Sequence, residues 1–161
     1  MNSFNALRVS RTYSIELNAS VEKVFSLFDP VIEKKWAYGW DFKPVFPADG
    51  SVQPGMVFTT RRHEESETIW RLNRLDAINW EVEYLRLTVG SRLGIISIKC
   101  NAVDLQSARA TVTYEFTALS EAGNEYIRTF TEEYYRHWMK EWQDAINHYL
   151  VTGETLINNA N

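Results

Sequence analysis

NEYIRTFTEEYYRHWMKEWQDAINHYLVT, running from Asn124 to Thr152, is the stretch whose reading decides the fold. At helical spacing Ile127, Phe130, Tyr134, Trp138, Trp142, Ala145, Ile146 and Tyr149 fall on one face. Glu125, Arg128, Glu132, Arg136, Lys140, Gln143, Asp144 and Asn147 fall largely on the other. This 3.6-residue repeat predicts a single amphipathic helix with one buried stripe. Asn124 is the expected N-cap, and Gly153 stands where a left-handed residue closes a helix. At 1.5 Å per residue the helix would be roughly 40 Å long. Its stripe is built of Phe, Tyr and Trp where Leu and Ala would pack more densely, which calls for a broad concave partner.

The upstream chain reads as that partner. Tyr13, Ile15 and Leu17 alternate with polar residues, the period-2 pattern of a half-buried strand. Asn18-Ala-Ser20 then offers cap chemistry for a short helix with Val21, Val24, Phe25 and Phe28 inward. Asp29-Pro30 starts a second one that ends near Trp36. An aromatic loop, Trp36 to Phe46, leads into a meander from Met56 onward. Its inward positions are Phe58, then Trp70 and Leu72, then Trp80, Val82 and Tyr84, then Ile96, Ile98 and Cys100, then Val112, Tyr114 and Phe116. Short turns and clean alternation predict antiparallel strands with one dry face, and Arg71 is expected opposite Glu81 or Glu83. Helices segregated to one side of such a sheet make an α+β fold. A six- to seven-stranded sheet of this kind curls, with the long helix in its hollow.

The 161 residues suit one domain over 1–161, with 1–10 as a lead and 153–161 as a tail. A formal charge of −4 argues against a nucleic-acid footprint. Cys100 is the only cysteine, so no intrachain disulfide is expected, and Met1 to Arg11 lacks the pattern of a secretory signal. No apolar run approaches a membrane span. The expectation is a cytoplasmic protein, a monomer or homodimer, without integral membrane association.

These features resemble the START-like, or SRPBCC, superfamily of helix-grip proteins. The resemblance rests on Ile15-Glu-Leu-Asn-Ala-Ser-Val-Glu-Lys-Val-Phe25, Trp36, Gly55-Met-Val-Phe58, Trp70-Arg-Leu72 before the Asp76-Ala77 turn, and the closing helix. It spans Tyr13 to Leu150; the proline usual at the fourth-strand turn is Ala77 here. It implies a cavity between the sheet and the C-terminal helix, in a superfamily that includes polyketide cyclase/dehydrase-like and birch-pollen-allergen-type proteins.

The expected ligand-binding residues are the inward aromatics Trp36, Trp40, Phe58, Trp70, Trp80, Tyr84, Tyr114, Tyr134 and Trp138. Arg62, on the face of Met56 and Phe58, is a charged handle for the ligand's polar end. Trp36 and Trp40 would gate the entrance. Consecutive His63-Glu64-Glu65-Ser66-Glu67 alternate sides and cannot converge on a metal, while charge pairing explains Glu133, His137 and Glu141. No metal or cofactor is expected, and Cys100 reads as a buried inert thiol. The functional expectation is binding of a small hydrophobic or aromatic molecule. The alternatives are a polyketide cyclase- or dehydratase-like enzyme, with a tyrosine moving the proton, and a protein-partner regulatory domain.

Overall fold

The structure, a computed structural model, describes residues 3–61 and 67–157. Strand β1 (Arg8–Leu17) is followed by helices α1 (Val21–Ser26) and α2 (Pro30–Trp36). Then come β2 (Lys43–Phe46), β3 (Val57–Thr60), β4 (Thr68–Asp76), β5 (Glu81–Thr88), β6 (Arg92–Asp104) and β7 (Ser107–Ala118). Helices α3 (Glu121–Thr129) and α4 (Glu132–Thr152) close the chain. The strands form one sheet in the order β1-β7-β6-β5-β4-β3-β2, every pair antiparallel.

The two short helices start as their caps dictate. Asp29 Oδ1 accepts from the N–H groups of Val31 (2.7 Å) and Ile32 (3.2 Å), with Pro30 at the first position. Ser20 Oγ accepts from Lys23 N–H. The sheet face beneath them carries Ile15, Leu17, Phe58, Leu72, Val82, Ile96, Ile98, Val112 and Phe116, all buried. On β6 the inner face also holds Gly94, where a Cβ would stand 2.8 Å from both Arg86 Cγ and Phe116 Cε1. The missing side chain lets a ring and an arginine stem cross this strand.

The expected single helix is two. Ser120 Oγ caps α3 at Gly123 N–H, and Thr131 Oγ1 caps α4 at Tyr134 N–H (3.1 Å). Asn124 is no cap. It lies inside α3, buried, accepting from Leu7 N–H (2.8 Å) and donating to the Asn5 carbonyl (3.0 Å), so it fastens the N-terminal lead. The interruption at Phe130 rephases the helix that follows. Its buried face is Tyr135, Met139 and Ile146, with Trp138 and Trp142 part-buried, and Tyr134 turns outward at 52% exposure. Gly153 closes α4 at φ 74°, as expected. The wet-face pairing also shifts: a bulge between Leu72 and Arg74 brings Arg74, not Arg71, to Glu81 at 2.8 Å.

Helix α4 is tied to the sheet by Tyr135, whose hydroxyl donates to the Val112 carbonyl at 2.5 Å. Gln143 and Asn147 accept from the Glu16 and Asn18 N–H groups at the free edge of β1 (both 2.9 Å). Tyr135→Phe removes one buried hydrogen bond and leaves the Val112 oxygen short of a donor. Urea unfolding should register a loss of about 1–2 kcal/mol; an unchanged midpoint would show the bond to be dispensable.

Candidate ligand-binding site

Between α2, the Trp36–Asp41 segment, α4 and the inner face of β3–β5 the aromatic side chains assemble in two layers. The sheet layer is centred on Phe58 and Trp70, directly paired across β3 and β4 and stacked at 5.7 Å. Trp40 meets both rings edge-on from one side (6.1 and 5.6 Å) and Tyr84 does so from another (6.4 and 6.2 Å). The helix layer runs Trp36–Trp142–Trp138–Tyr114, with centroids 5.6, 5.7 and 4.8 Å apart.

The indoles at the entrance are anchored. Trp36 donates to the Leu27 carbonyl (2.7 Å) and Trp40 to the Pro30 carbonyl (2.9 Å), so α1 and α2 hold both rings in place. Trp70 donates to Thr60 Oγ1 (2.9 Å) and Tyr84 to the Phe28 carbonyl (2.7 Å).

Two spaces open between these layers. The inner one, bounded by Phe28, Phe58, Tyr84, Ile96 and Ile98, has a volume of about 20 Å³, room for about one water. The outer one is a cleft of about 1010 Å³. Trp36, Tyr38, Trp138, Thr60, Thr68 and Arg86 are on its walls, and Asp41, Arg61, Glu141 and Asp144 are among its charged residues. Glu33, Trp40, Trp70, Tyr114 and Trp142 border both.

Seven of the ten expected residues line these spaces: Trp36, Trp40, Phe58, Trp70, Tyr84, Tyr114 and Trp138. Three do not join them. Tyr134 faces out because of the break in the helix. Trp80 sits in the β4–β5 turn at φ 57°, and its ring packs edge-on against Phe25 at 5.6 Å, away from the cleft. Arg62 lies outside the described residues, together with His63, Glu64, Glu65 and Ser66. The inward cation that the structure does place here is Arg86, whose guanidinium lies 4.9 Å from the centroid of Trp70. The alternation Val82, Tyr84, Arg86 already puts it on the dry face.

The residue that sequence reasoning passed over entirely is Glu33. It stands on α2, and its carboxyl is set deep in the protein beside four aromatic rings that border both spaces. Burial first, and the Asp29 carboxylate second, push its pKa up to about 8. The tyrosines move away from neutrality. Tyr84 is raised well above its ordinary value by burial and by Glu33 and Asp29, and Tyr135 is raised beyond the phenol range by burial and Tyr114. Burial lifts the Cys100 thiol to about 12. Glu33 is therefore the group here suited to hold or release a proton near pH 7. No group of three or more metal-ligating side chains occurs among the described residues.

The sheet order, the two short helices and the closing helix across the concave face determine the architecture. The chain has the helix-grip fold. It is similar to norcoclaurine synthase from Thalictrum flavum, solved in complex with dopamine and hydroxybenzaldehyde. That match has a TM-score of 0.65 at 13% identity and covers 91% of this chain and 88% of that one. A putative uncharacterized protein from Rhizobium leguminosarum matches at 0.64 and 10% identity, covering 91% and 97%. DynU16, a putative protein of the dynemicin biosynthetic locus, matches at 0.57 and 13%, covering 90% of this chain and 48% of that one. At such identities the likeness is one of fold. No protein-family model and no curated protein matches the sequence. Among the described residues no helix is long and apolar enough to cross a membrane.

Proposed function

We propose that this helix-grip domain binds a small hydrophobic or aromatic molecule in the cleft between its sheet and α4. The observation that carries this reading is a 1010 Å³ cleft whose walls include five tryptophans. A side-chain-filled core would have no such opening. The inner space is nearly full, so the ligand lies outward, against Trp36, Trp40, Trp70, Tyr114, Trp138 and Trp142. Apolar burial at roughly 25 cal/mol per Å² supports affinity on the order of micromolar once the losses of association are subtracted. A neighbour of the same fold holding dopamine and hydroxybenzaldehyde is consistent with aromatic cargo.

Tryptophan emission tests this directly. Titration with fatty acids, flavonoids and naphthalene sulfonates should quench or shift the fluorescence saturably for at least one class, and Trp70→Ala or Trp142→Ala should weaken it several-fold. Absence of saturable change across the panel would overturn the reading.

One observation favours a second reading, an enzyme that shapes a reactive substrate as a cyclase or dehydratase does: the proton affinity of Glu33 lies close to neutrality. Turnover by the wild type that disappears in Glu33→Gln would select it over simple carriage.

A further inference from the structure

Glu33 carries a consequence for which ligand the cleft accepts. Its carboxyl borders the inner and outer spaces together with Trp40, Trp70, Tyr114 and Trp142. Among the described residues it has no hydrogen-bond or ion-pair partner. A buried polar group in that situation is costly unless something completes it. Trp40 and Trp70 have already committed their N–H groups to Pro30 and Thr60, whereas Trp142 makes no hydrogen bond among the described residues.

The other charges around the site are largely spoken for. Asp29, on the same helix, accepts from Val31 and Ile32. From the loop after α2, Asp41 pairs with Lys34 at 3.8 Å. From α4, Glu141 pairs with His137 at 3.1 Å and Asp144 with Lys140 at 2.8 Å. From β5, Arg86 lies on the Trp70 ring and Tyr84 donates to Phe28. Arg61, beyond the end of β3, is exposed, and Tyr114 faces in from β7. The rim thus neutralises itself pair by pair and presents no field that selects an ion.

We propose that Glu33 acts as an uncharged acid, donating its O–H to a carbonyl or ether oxygen of a neutral aromatic ligand held among Trp40, Trp70, Tyr114 and Trp142. This rests on the binding reading above and specifies the ligand's polar end. A cationic ligand would require the carboxylate, which burial and Asp29 both oppose. An anionic ligand would leave the acid without an advantage over an apolar residue.

Four naphthalenes of similar size form the test: 2-acetonaphthone (acceptor), 2-ethylnaphthalene (no acceptor), 2-(2-naphthyl)ethylamine (cation) and 2-naphthoate (anion). Binding is read by tryptophan quenching at pH 6.5 and pH 9.5. Wild type should bind 2-acetonaphthone about tenfold more tightly than 2-ethylnaphthalene at pH 6.5. At pH 9.5, above the range in which Glu33 holds its proton, that preference should vanish. Glu33→Gln, which retains an N–H donor, should keep the preference at both pH values. Glu33→Leu should bind both neutral probes alike, and His137→Gln should retain the wild-type pH dependence. Equal binding of the two neutral probes by wild type, or tightest binding of the amine with loss in Glu33→Gln, would overturn the proposal while leaving the cleft as a binding site. Failure of all four probes to bind would overturn both. If Glu33→Leu does not fold, the pH-independence of Glu33→Gln decides the matter.

Discussion

Gly123→Ala is expected to destabilise the domain by about 3 kcal/mol or more, at the upper end of what overpacking costs. A Cβ at this position would stand 1.9 Å from the Ser91 carbonyl oxygen and 2.9 Å from its carbonyl carbon. The obstacle is backbone, so no rotamer change removes the clash. Nor can the turn easily retreat. Leu119 N–H donates to that same Ser91 oxygen at 2.7 Å, and Ser120 Oγ donates to the Gly90 carbonyl at 2.6 Å. These bonds latch the start of α3 to the β5–β6 turn. Urea unfolding should show the loss in the midpoint, and a shift below 1 kcal/mol would mean that α3 does not seat on this turn as described.

The second large effect concerns Glu33 and pH. Its pKa is about 8 in the folded protein against an ordinary 4.5. Below pH 4.5 both states hold the proton and stability is unaffected. Between 4.5 and 8 the unfolded chain ionises while the folded one does not, so stability falls by about 1.4 kcal/mol per pH unit. Above pH 8 the accumulated loss is on the order of 4 kcal/mol. Asp76 works in the opposite sense, held down to about 2 chiefly by its hydrogen bonds to Asn79, and it acts below this window. Glu33→Gln should therefore gain stability over wild type progressively from pH 5 to pH 9 in denaturant titrations. Parallel wild-type and Gln profiles would show that this carboxyl is hydrated and ordinary.

Much of the fold was legible because strand alternation is a local signal: Tyr84, Ile96, Ile98, Val112 and Tyr114 all turn inward as their period predicts. The C-terminal helix was misread in a specific way. Ser120 with Glu121, and Thr131 with Glu132, are both cap-plus-acid starts, but the aromatic repeat runs through them with nearly unbroken phase. The break is fixed instead by Phe130, buried against Phe116 at 5.0 Å and Tyr135 at 5.5 Å, a tertiary contact that no periodicity encodes. Trp80 was misplaced because period-2 counting continues into a turn without warning. Glu33 was missed because an acid one residue past the middle of a short helix, followed by two lysines, has the look of a solvated face. Only the packing of Trp40, Trp70 and Trp142 around it makes it a site.

The position of β1 sets the order in which this molecule can be made. Strands β2 to β7 each pair with a sequence neighbour as they emerge, but β1 has only β7 to pair with. The ion pair joining the two strands, Arg109 to Glu16, spans 93 positions, and the bond from Asn18 N–H to Asn147 spans 129. The first strand synthesised therefore waits, unsheltered, until almost the whole chain has been translated. Alternating exposed serine, threonine and arginine along its outer face keep it soluble meanwhile. Final closure joins the two ends of the chain in one step of high contact order, which makes it the expected slow phase of folding.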